Sequence, residues 1–212
     1  METLWQFVRE ISPWNWASVT LATLLYIKLN RDLRRGKSSQ NPLTFWLWGS
    51  LDGINGLSTL LQKGNFFLPL YYVLGCASVL RSLYISGKAK VEWTRHELTV
   101  LVMVIISIFG WMYSGAWYAT LWSTIGVLVA GWPQIRDGWK EPELQPIRIY
   151  FGFAVVNGLA TLAGKEWSVV ERFYGASCVV LCLVTAVVPM VAKRQDDIRN
   201  FWEVFVDDWG LN

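Results

Sequence analysis

The chain repeats itself. Shifted by 102 positions, Asn55-Gly56-Leu57-Ser58-Thr59-Leu60 falls on Asn157-Gly158-Leu159-Ala160-Thr161-Leu162 without a gap, five of the six residues being identical. The same shift sets Leu33-Arg34-Arg35-Gly36 under Ile135-Arg136-Asp137-Gly138, Tyr72 under Tyr174 and Cys76 under Cys178. Single matches arise by chance; a hexapeptide with flanking matches at one offset is the mark of an internal repeat. The fold is therefore expected to contain two similar units of about three segments each, packed against one another.

Those segments are apolar and long. Leu98 to Gly110, Ser114 to Ile135 and Phe151 to Gly164 contain no charged residue. Runs near twenty residues reach across a hydrocarbon core of about 30 Å. Only 17% of the residues are charged, against roughly 25% in soluble domains. Fourteen Trp and eight Tyr suit a bilayer, because amphipathic rings settle at headgroup level. The expectation is an integral, multi-pass, all-α membrane protein whose first partner is the lipid bilayer. The three Cys are too few for a disulfide framework and read as buried small hydrophobes.

Along the chain, residues 1–12 mix apolar and charged side chains and read as an interfacial segment; no basic region followed by a cleavable apolar stretch marks a signal peptide. The first three-helix unit covers 13–86, with helices at about Trp14–Leu29, Pro42–Leu61 and Phe66–Ile85. A loop and a linker helix fill 87–115. The second unit covers 116–192, with helices at about Ala116–Trp132, Pro146–Ala163 and Trp167–Val191. A cytoplasmic amphipathic tail, 193–212, follows; Glu203, Asp207 and Asp208 are too many charges to bury, so it reads as interfacial. Seven spanning helices result. A three-helix unit ends on the side opposite its start, so the unpaired fourth helix returns the chain and lets the second unit insert parallel to the first. Arg31, Arg34, Arg35, Lys37, Lys88, Lys90, Arg95, Arg136, Lys140, Lys193, Arg194 and Arg199 fall on one side, and Arg9, Lys63, Lys165 and Arg172 on the other. The positive-inside rule then puts the N-terminus outside and the C-terminus in the cytoplasm.

Few residues carry chemistry. Asn55 and Asn157 lie well inside their helices, where a carboxamide needs a partner; each either bonds a neighbouring helix or lines a pathway. Asp52 sits near mid-membrane. Its repeat mate is Ala154, so it stands outside the shared framework. An intramembrane carboxylate is a functional candidate, here for proton coupling, unless it pairs with Arg81 or Lys63. Pro133 removes a backbone donor at a helix end, either as a gate or as a helix stop. Gly36 and Gly138 read as turn residues. His96 is the only His, so no metal site is expected, and no cofactor motif is present. With no P-loop, nucleophile elbow or paired catalytic carboxylates, an enzyme is not expected. The loop cations read as topology signals, not as a nucleic-acid surface.

Pro133-Gln134 at the end of the fifth helix, inside a 3+3 repeat with a linker helix, resembles the PQ-loop superfamily, which includes the SWEET sugar transporters. The Asn-Gly-Leu-x-Thr-Leu blocks are similar to the Asn-containing segments those proteins carry on the same helices. The resemblance covers roughly 14–191. It implies alternating access between the two repeats, a small polar solute as substrate, and Pro133 and Gln134 as a gate or hinge. In the first repeat Arg31 and Asp32 replace Pro-Gln, so that hinge is altered. The sugar-contacting Asn of the third helix in each repeat is replaced by Tyr72 and Tyr174, and a further contact falls on Thr59 and Thr161. With Asn55 and Asn157 these form the expected substrate-binding set. A proton-coupled amino-acid transporter, a PnuC-type nucleoside transporter and a non-transporting scaffold or receptor on the same fold stay open, as does assembly into a homo-oligomer.

Overall fold

A computed structural model describes residues 12–87 and 95–208, with side chains outside 96–97 and 196–208. The described residues are helical and contain no strand. The helices are α1 (Pro13–Arg34), α2 (Pro42–Leu61), α3 (Phe67–Ile85), α4 (Arg95–Ser114), α5 (Ala116–Ala130), α6 (Trp132–Lys140), α7 (Ile147–Leu162) and α8 (Val169–Asp208), with a short 3-10 turn at Pro142–Leu144. Residues 1–11 of the interfacial segment expected over 1–12, the Lys88–Thr94 loop, the tail's side chains from 196 and residues 209–212 lie outside the described residues.

Local chemistry sets the boundaries. Ser12 Oγ accepts from Trp14 N, and Asn41 Oδ1 accepts from Leu43 N and Thr44 N, each ahead of a Pro at the helix start. Such caps satisfy amides that the first turn leaves open. Gly115, at φ +86°, breaks α4 from α5 in a conformation that a side chain would oppose. The tail differs from expectation: α8 continues without a break from Val169 to Asp208, passing through Pro189.

Seven spans are expected; among the described residues, two helices are by length and composition long and apolar enough to cross a bilayer, Phe67–Ile85 and Val169–Gln195. The others fall short for identifiable reasons. α5 has 15 residues and α7 has 16. α2 carries Ser50, Asp52, Asn55, Ser58 and Thr59, and α1 ends in Lys28, Arg31, Asp32 and Arg34.

Six helices close a ring. α1 packs on α3, α3 on α2, α2 on α5, α5 on α8, α8 on α7, and α7 on α1. Exchange each helix for its mate at the repeat offset (α1 with α5, α2 with α7, α3 with α8) and every one of these neighbour relations maps onto another. α4 stands outside the ring against α5 and α2. The two contacts between the halves, α2 with α5 and α1 with α7, are both close crossings at glycine. A Cβ on Gly126 would come within 2.9 Å of Leu51, and one on Gly152 within 2.7 Å of Leu25.

Polar side chains lie inside beside an apolar core, and many large apolar ones lie outside. Asn55, Ser58, Thr59, Thr120, Ser123, Thr124 and Asn157 are buried. Leu24, Ile27, Leu74, Phe109, Met112, Val180 and Val187 face outward, where contiguous apolar surface calls for a partner or lipid.

Candidate functional site

The ring holds a cavity of about 60 Å³ to which all six of its helices contribute. α1 supplies Tyr26 and Leu29, α2 supplies Phe45, Trp48 and Asp52, and α3 supplies Tyr72 and Cys76. Val127 comes from α5, and Tyr150, Phe153 and Asn157 from α7. Tyr174, Cys178, Leu181, Cys182 and Thr185 come from α8. The volume matches about two water molecules. All three cysteines of the chain are on this wall, and all are free.

Of the expected substrate set, Tyr72, Tyr174 and Asn157 reach the cavity. Asp52 joins them. Tyr174 donates its hydroxyl to Asp52 Oδ1 at 2.7 Å, joining α8 of one half to α2 of the other. Tyr72 has no such partner: its hydroxyl is buried without a well-formed hydrogen bond. The repeat explains the difference, because the position mated to Asp52 is Ala154, which accepts nothing.

Asn55, Thr59 and Thr161 are not on the cavity wall. Asn55 Nδ2 lies 3.1 Å from Thr120 O, 3.1 Å from Ser123 Oγ and 2.8 Å from Thr124 Oγ1, all on α5. Thr59 and Ser58 meet Thr120 in the same seam. Thr161 bonds back to Asn157 O, and the Arg172 guanidinium holds Thr161 O, Gly164 O and Glu166 O around the α7–α8 turn. Asn157 escapes the fate of Asn55 because α1 presents Leu21 and Ala22 where α5 presents Ser123 and Thr124. Asn157 Nδ2 donates to Phe153 O at 2.8 Å, and Oδ1 is left buried without a partner.

Gln134 is buried at one end of the ring. Its Nε2 donates to Gln145 Oε1 at 2.7 Å, and its Oε1 accepts from Asn41 N at 3.4 Å. Ser39 N donates to Leu144 O at 3.1 Å, and Tyr150 donates to Gln40 Oε1 at 2.6 Å. These bonds latch the two halves together. Pro133 stands in the first turn of α6, just past Gly131 where α5 stops. That stop leaves Val127 O open to accept from Trp48 Nε1 at 2.9 Å. Arg31 and Asp32 take no part in the latch; both lie in the last turn of α1, where Asp32 pairs with Lys28. At the opposite end a vestibule of about 350 Å³ is bordered by Asn15, Lys63, Asn65, Lys165 and Glu171. Lys63 and Lys165 are repeat mates, and Asn65 Nδ2 donates to Ala160 O across the halves.

Sequence reasoning missed Thr120, Ser123 and Thr124. The signal was present: hydroxyls at i, i+3 and i+4 in an apolar run form one helix face, the usual form of interhelical polar contact in lipid. Tyr26, Trp48, Tyr150 and Phe153 carry no comparable signal, since aromatic residues are frequent throughout this chain.

No protein-family model matches the sequence, and neither a curated protein nor a solved structure matches the chain.

Proposed function

We propose that the chain is a seven-span membrane protein of the PQ-loop type. On this reading it moves a small polar solute by alternating access between two parallel three-helix repeats. The observation that carries the reading is the cavity at the contact of the two halves, bordered by the repeat-mated pairs Tyr72–Tyr174 and Cys76–Cys178 and by Asp52. The exchangeable neighbour relations of the ring support two units that rock against each other. The outward apolar faces support a lipid setting, in which α5 and α7 reach the bilayer surfaces with help from α6 and the polar turns. The cytoplasmic side is then the Gln134 latch end, which carries most of the loop cations, and the vestibule end faces outside. The latch would open when the vestibule closes.

Counterflow in proteoliposomes tests this with labelled sugars, amino acids and nucleosides. At least one class is expected to exchange, and Tyr72→Ala or Tyr174→Ala to cut the rate at least about tenfold by loss of binding contacts while the protein stays monodisperse. If Asp52 couples a proton, Asp52→Asn abolishes uptake driven by a pH gradient and spares downhill exchange.

A second reading, a scaffold or receptor without transport, is favoured by the small cavity and by the bonding of Asn55 within the α2–α5 seam. If no solute class moves, that reading replaces the first.

A further inference from the structure

Asp52 is 3% exposed and faces no positive side chain. The titratable groups around it are Tyr174, Cys178 and Cys182 from α8, Tyr72 and Cys76 from α3, Tyr26 from α1 and Tyr150 from α7. None of these carries positive charge in any protonation state. α5 contributes Val127, and α4, the remaining neighbour of α2, buries Val100, Val104 and Ser107. The pairings open from sequence are not made: Arg81 is exposed, and Lys63 borders the vestibule. A buried carboxylate without a counter-charge requires a positive guest, either a proton or a cation.

The cavity also holds acceptors in want of a donor. Tyr72 Oη and Asn157 Oδ1 are buried without a well-formed hydrogen bond, in residues 7% and 1% exposed, and the two side chains lie close enough to interact with each other. For Tyr72 the repeat supplies the reason, since Ala154 stands where the other half has Asp52; Asn157 Oδ1 shares its unbonded state with its mate Asn55 Oδ1, which lies off the cavity wall. An ammonium group offers three N–H donors and no acceptor, matching a carboxylate, a phenol oxygen and an amide oxygen. Tyr26, Tyr72 and Phe153 meet edge to face on the same wall, with centroids 4.9 to 6.1 Å apart, and aromatic walls suit organic cations.

We infer that the cavity binds a small primary ammonium compound in exchange for the proton on Asp52. When the cation enters, the Asp52 O–H bond breaks, its proton leaves to water, and the ammonium charge takes its place. When the cation leaves, a proton returns. The cavity is neutral in both states, so the helices never close over an unbalanced charge. The exchange across a membrane rests on the transport reading above; the binding does not.

Titration calorimetry on the purified full chain tests the binding with methylammonium and ethylammonium as probes, and ethanol and glucose as neutral comparisons. The ammonium compounds are expected to bind and ethanol and glucose not to. One proton per cation should be released, read from buffers of different ionisation enthalpy. Apparent affinity should rise about tenfold per pH unit while Asp52 is protonated, then level off. Asp52→Asn should weaken binding at least tenfold. Should that variant fail to fold, Tyr72→Phe removes a hydroxyl that makes no well-formed hydrogen bond, and should weaken ethylammonium binding several-fold with the melting temperature little changed. Equal binding of ethanol, binding without proton release, or absence of ammonium binding overturns the inference. Ammonium binding without flux in liposomes removes the transport reading alone; glucose flux without ammonium binding removes this inference alone.

Discussion

Two asparagines of one ancestry-like motif do different work. Asn55 ties α2 to Thr120, Ser123 and Thr124 on α5, whereas Asn157 bonds Phe153 O in its own helix and Cys182 Sγ on α8, and borders the cavity. Interhelical hydrogen bonds in lipid are worth about 0.6–1.7 kcal/mol. Asn55→Ala should therefore lower stability by about 1–2 kcal/mol, read as a lower melting temperature in detergent. Asn157→Ala should leave the melting temperature nearly unchanged and alter solute affinity instead. Gly75 is the tightest point in the ring: a Cβ there would overlap the Tyr26 ring. Gly75→Ala is expected to cost about 1–3 kcal/mol through overpacking, and Tyr26→Phe to leave the clash in place; a double-mutant melting series with a smaller partner, Tyr26→Leu, should recover part of the loss.

At the scale of elements, helix ends and one internal proline matter most. Pro133 and Gly131 end α5 early, and the short α6 then carries Gln134 into the latch. Gln134→Ala removes bonds to Gln145 and Asn41 at once. Only the Asn41 bond joins the halves; at about 0.5–1.5 kcal/mol its loss should shift the balance toward an open latch several-fold. The checking measurement is the labelling rate of the three cavity thiols by N-ethylmaleimide, which should rise. Pro189 is a feature whose role sequence reading passed over. Inside α8 it withdraws the amide that would bond Thr185 O, and Thr185 is on the cavity wall. Pro189→Ala should stiffen α8, raising the melting temperature while slowing exchange.

At the scale of the whole molecule, the ring is closed by contacts between halves at both ends. The latch end holds three direct bonds between them, from Ser39, Asn41 and Tyr150. The vestibule end holds Asn65 to Ala160. If the halves rock, both ends cannot open together. Spin-label distances between positions 39 and 144 should lengthen as those between 63 and 165 shorten when solute is added. Distances that stay fixed at both ends would argue for a static bundle.

Much of the helix layout was legible in the chain, because apolar runs and Pro, Gly, Ser and Asn boundaries act over a few residues. The match at an offset of 102 was legible too, and with it the pairing of Tyr72 with Tyr174 and of Asn55 with Asn157. The unbroken α8 was not, since the charged residues past Lys193 looked incompatible with the preceding apolar run, and helix continuity does not depend on polarity. Nor was it legible which member of each pair faces the cavity. That choice lies with the helix across the seam: Ser123 and Thr124 take up Asn55, while Leu21 and Ala22 release Asn157. The sequence determined the helical segments and their doubling, both set by local periodicity. Tertiary structure alone decided that Asp52, Tyr72, Asn157 and Tyr174 border one cavity, because residues up to 122 positions apart meet only when the ring closes.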